Sequence, residues 1–232
     1  HVLLQALDEG HAGLPREEFG RRAAALLEVE PPLVEEALGL ELREGRLVAD
    51  TVDGQPCLFL AGLHAAERAI AQKLLQQAGG QVPWAPIDAD RAIAWVEGRL
   101  GLALAEQQRQ ALRLAVSSKV LVITGGPGVG KTTLVNAILR VLGARAVRPA
   151  LCAPTGRAAK RLSEATGIEA RTIHRLLEID PHSGRFRRDE RQPLEHDLVV
   201  VDEMSMVDIP LMHALVRAIA PRAAVVLVGD VD

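Results

Sequence analysis

The run Gly125-Gly126-Pro127-Gly128-Val129-Gly130-Lys131-Thr132-Thr133 has residue types suited to gripping phosphate. Within it lies the spacing Gly125-x-x-x-x-Gly130-Lys131-Thr132, the P-loop pattern. Glycines at such spacing let backbone N–H groups turn toward phosphate oxygens. Lys131 can reach the β- and γ-phosphates, and the Thr132 hydroxyl can bind Mg²⁺. The apolar run KVLVIT precedes the pattern and TTLVNAILRVL follows it. A strand therefore enters and a helix leaves, and the helix N-terminus adds a field that favours anions. Gly126, Pro127, Gly128, Val129, Gly130, Lys131, Thr132 and Thr133 are the expected cradle, with ATP and Mg²⁺ as the expected ligands.

A second stretch, LVVVDEMSM, supplies carboxylates. Asp202 at the tip of a buried strand suits Mg²⁺ held through water. Glu203 beside it suits the orientation or deprotonation of an attacking water. Beside a P-loop, the pair implies hydrolysis rather than storage of nucleotide. A third stretch, CAPTGRAAKRL, repeats the theme with a Thr155-Gly156 turn at a helix start, followed by Arg157, Lys160 and Arg161. It lies at the end of a strand, where open α/β sheets place their ligands. With the P-loop assigned to the nucleotide, this turn suits a different phosphate chain, or else is an ordinary helix capped by Thr155.

The elements that must position these residues read as two regions. From about residue 104, the Val/Leu-rich runs KVLVITGG, VRPALCAPT, LVVVDEMS and AAVVLVGD alternate with helical stretches. Continuous apolar runs indicate parallel strands buried on both faces, hence an open α/β sheet. Residues 1–60 read as three short helices and a hairpin turning at Asp53-Gly54. Pro15, Glu17 and Glu18 mark the start of the second helix, and Gly45 the end of the third. This order resembles a winged helix, although Glu35, Glu36, Glu41 and Glu44 make the third helix acidic where nucleic-acid readers are usually basic. Residues 61–103 read as a helical connector, with Trp84 and Trp95 as packing residues rather than base-stacking platforms.

Composition narrows the class. The 232 residues are 48% hydrophobic and 25% charged, with only 2% aromatic and no Tyr, which favours an aliphatic, helix-rich core. A net charge of −3 argues against coating nucleic acid by bulk charge and leaves room for a local basic strip. No apolar run is long enough to span a bilayer. Cys57 and Cys152 lie far apart and near no His cluster, so no zinc site is expected and a reduced, cytoplasmic setting is. The ends, HVLLQAL and VVLVGDVD, read as cuts within a longer protein.

LAEQQRQAL, TGGPGVGKTT, APTGRAAKRLSEATG, TIHRLL, VVVDEMSMV and VVLVGDVD follow one another as in RecD-like DNA helicases of superfamily 1. The resemblance covers roughly residues 104–232, with the preceding region similar to the segment ahead of the motor in longer members. It implies a P-loop RecA-like parallel sheet with flanking helices, preceded by a small, mostly helical, winged-helix-like domain. It also implies an ATP-dependent helicase moving 5′ to 3′ on single-stranded DNA, with a second RecA-like domain of the same full-length chain as partner. Gln108 would read the adenine edge, since a Gln amide offers donor and acceptor together. Thr155, Gly156 and Arg157 would face DNA, with Lys160 beside them and Thr172 and His174 nearby. Outside that motif, His174 would pass for a packed or capping histidine. RFRRDER reads as a solvated loop, Asp208 as a helix cap and Asp230 as a link between the two sites. Asp232 marks only where the chain stops. The family pattern continues with Gln-Leu after GDVD, which is not present here. The helicase half of a conjugative relaxase and a nucleotide-dependent binding module are the alternatives. The first would need an upstream metal site and a catalytic Tyr, and the second is opposed by Glu203.

Overall fold

The structure, a computed structural model, describes residues 1–230. The chain divides into two compact units, His1–Ala69 and Ile70–Asp232. Asp232, read as the point where the chain stops, lies outside the described residues.

The first unit runs α1 (Val2–Asp8), β1 (Gly13–Pro15), α2 (Arg16–Leu27), α3 (Pro31–Arg43), β2 (Leu47–Val52) and β3 (Gln55–Leu60). This helix–strand–helix–helix–strand–strand order is that of a winged helix. Pro31 and Pro32 open α3, where a missing N–H costs nothing. Gly45 follows its end at φ +69°, a backbone that glycine adopts without strain. Asp53 (φ 50°) and Gly54 (φ 80°) turn the hairpin, and Val52 pairs with Gln55 across it. Both central residues at positive φ make the turn that matches strand twist. The sequence reading did not include β1, which pairs antiparallel with β3 through Gly13↔Phe59. A Cβ on Gly13 would meet the Phe59 ring at 2.4 Å, so glycine is required by close approach. Three residues are too few to show alternation.

α4 (Ala61–Ala78) crosses the boundary between the units. In the second unit follow α5 (Ala89–Leu100), α6 (Glu106–Ser117), β4 (Val120–Thr124), α7 (Lys131–Gly143), β5 (Pro149–Ala153), α8 (Gly156–Thr166), β6 (Ala170–Thr172) and α9 (Ile173–Leu176). The chain continues through β7 (Leu198–Val201), a 3₁₀ turn (Met204–Met206), α10 (Ile209–Ala218) and β8 (Ala224–Gly229). The five strands are parallel in the order β4-β8-β7-β5-β6. This is the RecA-like α/β sheet expected. β7 and β8 are buried throughout. Their side chains alternate between two cores, as the pleat dictates. Val200 and Val226 join Leu112, Ile138 and Leu142 on one face. Val199, Val201 and Val225 join Ile173, Leu215 and Ile219 on the other. β6, a three-residue edge strand, is also absent from the sequence reading.

The segment expected as a connector supplies core residues to the second unit. Trp84, Ile93 and Val96 belong to the same cluster as Leu112 and Ile138. The Trp84 indole N–H donates to the Val116 carbonyl at 2.9 Å, and Gln77 donates to Ala223 O at 3.0 Å. Trp84 is a packing residue, 9% exposed. Trp95 is not: its side of α5 faces outward and it is 40% exposed, which corrects the expectation. The cause is its place on the helix, between rather than on the core-facing positions Ile93 and Val96.

Candidate nucleotide and phosphate-chain sites

Five parallel strands bring their C-terminal ends to one edge of the sheet. Thr124 at the end of β4 lies opposite Gly229 of β8, and Val201 at the end of β7 lies opposite Leu227. The residues after β4, β8 and β7 are therefore gathered along one rim. Gly125–Gly130 occupies the β4 position, Asp230 that of β8, and Asp202 and Glu203 that of β7. The loop needs its glycines: Gly128 and Gly130 sit at φ +76° and +83°. Gly130 also caps α7, where a Cβ would strike Gln108 Nε2 at 2.5 Å.

Lys131, the first residue of α7, is half-buried. Its Nζ donates to Gly125 O at 2.6 Å, to Gly126 O at 2.9 Å and to Asp230 Oδ1 at 2.5 Å. Gln108 holds the far side of the loop, its Nε2 donating to Val129 O at 3.2 Å and its Oε1 accepting from Ala105 N–H at 3.0 Å. Sequence reasoning assigned Gln108 a donor–acceptor pair for a base; here that pair bridges the start of α6 and the loop. Thr132, Gly128, Val129 and Pro127 are exposed, while Gly126 and Thr133 are half-buried.

Burial pushes the Asp202 carboxyl above its usual value; the Glu203 N–H and the charge of Lys131 oppose that shift, and Asp230 adds to it. A cation would relieve the same cost. Glu203 sits at φ 55°, ψ 44°, in the left-handed region, a strained placement for a side chain of its size. The hard oxygen donors Thr132 and Asp202 fit Mg²⁺. No group of three or more His, Cys, Asp or Glu gathers among the described residues to hold a metal. Phosphate oxygens and water would have to complete the shell.

The second set of predicted residues collects beside the first, on β5 and β6. Thr155 accepts from Ala158 N–H at 3.2 Å and caps α8, and Thr172 accepts from Arg175 N–H at 3.2 Å and caps α9. Their strands pair at Ala153↔Thr172, so the two caps stand on neighbouring strand ends. Gly156, Arg157, Lys160 and Arg161 are exposed on α8, with Lys160 3.8 Å from Glu164. His174 is exposed, its ring 5.8 Å from that of Phe186. In the loop read as solvated, Arg188 pairs with Glu178 at 2.6 Å, and Glu190 pairs with Arg217 at 3.0 Å. Asp208 caps α10 through Leu211 N–H at 2.8 Å, as expected.

With this geometry in place, comparison with known proteins is informative. Residues 108–232 match the family model described as "AAA domain". The chain is 33% identical over 239 residues to the ATP-dependent RecD2 DNA helicase of Deinococcus radiodurans, covering 99% of this chain and 33% of that protein. It is 44% identical over 151 residues to the RecBCD enzyme subunit RecD of Mycolicibacterium smegmatis, covering 55% of this chain and 27% of the other. The ATP-dependent DNA helicase dda of Enterobacteria phage T4 is 35% identical over 140 residues, with 55% and 31% covered. The chain thus spans a third or less of the length of these relatives. With a glycine-rich loop, a strand-end carboxylate pair and a RecA-like sheet in the matched region, the chain belongs to the AAA domain family, and RecD-like helicases are among its relatives.

Proposed function

We propose that this chain is the first motor domain, with its preceding winged-helix-like unit, of an ATP-dependent DNA helicase of RecD-like type. ATP hydrolysis would be coupled to 5′-to-3′ movement on single-stranded DNA. The observation that carries this reading is the shared rim: Lys131, Asp202 and Glu203 on one stretch, Thr155, Arg157 and Thr172 on the next.

ATP bound with Mg²⁺ supplies a γ-phosphoryl group already polarised for transfer to water. Backbone N–H groups of Gly126 to Gly130 orient the phosphates, and the N-terminus of α7 favours their charge. Lys131 exchanges its carbonyl and Asp230 contacts for phosphate oxygens. Thr132 and Asp202 would hold the cation. Glu203 aligns the attacking water and takes its proton. Gln108, which holds the loop through Val129 O, would turn its amide to the adenine edge. On the neighbouring strand ends, Thr155 and Thr172 hydroxyls donate to DNA phosphates while still accepting from their helices, and Arg157 and Lys160 add attraction. His174 stands at the same rim. A second RecA-like domain, carried by the remainder of a chain as long as the relatives, would close the crevice and supply an arginine to the transition state.

The test is Lys131→Ala in the full-length protein. It should abolish DNA-stimulated ATP turnover and weaken nucleotide binding; unchanged turnover would sink the assignment.

A further inference from the structure

Away from the strand-end rim, α5 carries Arg91, Trp95 and Arg99 at successive four-residue intervals, which stacks them along one helix face. All three are exposed. The Arg99 guanidinium lies 5.5 Å from the Trp95 ring centroid. A cavity of about 270 Å³ opens beside the indole, lined by Ile87, Arg91, Trp95, Val141 and Arg145 among others. Arg145 lies just beyond the last turn of α7, whose first turn holds the phosphate loop. A helix of that length spans about 20 Å, so the cavity is separate from the nucleotide crevice.

The charges around the indole are unbalanced. Asp88, which also lines the cavity, accepts from the Arg91 N–H as the cap of α5. Asp90 is held by Arg113 at 3.0 Å, and Glu97 by Arg109 at 2.9 Å. Among the described residues, Arg91, Arg99 and Arg145 are in no ion pair, so three guanidinium groups surround an exposed indole without a committed counter-charge. The volume falls just under the range of about 300–1,000 Å³ usual for drug-sized ligands, which suits one planar ring rather than a large cofactor.

An exposed aromatic face for a base, with cations spaced for the adjoining phosphates, is how sequence-tolerant single-strand binding is built. We propose that Trp95, Arg91 and Arg145 form a second contact for single-stranded nucleic acid, with one base stacked on Trp95. The site lies outside the track on β5 and β6 and does not depend on the helicase reading. A protein partner is the competing occupant, since Trp and Arg also dominate protein interfaces.

The two tryptophans allow a direct test on this chain. Trp84 is buried and reports the fold, whereas Trp95 is exposed, with Arg99 over one face of its ring and the cavity beside it. Titration with oligothymidylate should quench emission saturably. Trp95→Phe should remove the quenching while Trp84 emission persists. Arg91→Gln with Arg145→Gln should weaken binding about tenfold and flatten the log–log salt slope by about 1.4, roughly 0.7 for each lost phosphate contact. Lys131→Ala and Arg157→Ala, which test the motor reading, should leave the quenching intact. Absence of quenching would overturn the proposal in favour of a protein surface. Quenching that survives in Trp95→Phe would also overturn it, as would equal affinity for thymidine monophosphate.

Discussion

The ammonium nitrogen of Lys131 lies 2.5 Å from Asp230 Oδ1, and two loop carbonyls accept its remaining protons. All three donors of the side chain are thereby satisfied within the protein. On the proposed reading, incoming phosphates compete with a carboxylate that follows β8, the strand between the P-loop strand and the Asp202 strand. Asp230→Asn weakens that competitor by removing its charge. Nucleotide should bind about fivefold tighter, the equivalent of roughly 1 kcal/mol for a partly exposed pair, as read by fluorescent-nucleotide titration. Equal or weaker binding would show that Asp230 does not restrain Lys131.

Glu203 holds a left-handed backbone, as Glu28 and Glu178 do elsewhere, so its proposed task rests on its place beside Asp202 at the end of β7. Glu203→Gln keeps size and backbone while removing the base. Nucleotide affinity should stay within about twofold, with turnover in the full-length protein falling by a factor of about 10² to 10⁴. Loss of binding together with turnover would mark Glu203 as structural.

Arg157 and Lys160 stand exposed beside the Thr155 cap. If they contact single-stranded DNA phosphates, each Ala substitution in the full-length protein should weaken binding and flatten the log–log salt slope by about 0.7. Measuring affinity across a salt series decides between this and a merely solvated helix face, which would leave slope and affinity unchanged.

Arg148 donates to Asp197 from its side chain at 3.2 Å and from its backbone at 3.1 Å, joining the starts of β5 and β7. The Arg148 guanidinium, acting first through its hydrogen bond, holds the Asp197 carboxyl below its usual value. A lowered carboxylate stabilises the fold above its ordinary pKa, and that contribution fades as pH falls through the lowered value. Asp197→Asn should therefore cost up to about 1 kcal/mol at neutral pH and nothing in strong acid, where both forms are uncharged. Chemical denaturation at the two pH values checks the difference.

The large features were legible because they rest on composition along many residues. Four Val/Leu runs announced four of the five parallel strands, and Asp53-Gly54 announced the hairpin turn found between Val52 and Gln55. β1 and β6 were not legible, each being three residues held by its neighbours rather than by pattern. Motif spacing brought Lys131, Asp202 and Glu203 to one rim, since parallel strands end together. It did not reveal that Gln108 bridges to the loop, or that Thr172 caps α9, whereas the Thr155 cap of α8 was one of the two readings the sequence offered. The missed contacts depend on side-chain conformations, which spacing does not encode. Trp95 was misjudged for a related reason: α5 is amphipathic, and an indole one position from the core-facing Val96 still points to solvent.

The strand that delivers the P-loop is also a border of the described sheet, since β4 pairs only with β8 there. Its outward side chain Val122 is 61% exposed, and one row of its backbone N–H and C=O groups has no strand beside it. Such a rim is a template for pairing with any extended apolar segment, including the same strand of another molecule. At high concentration the isolated chain should tend to self-associate through β4, and a lysine in place of Val122 should raise its solubility while leaving the phosphate loop unchanged.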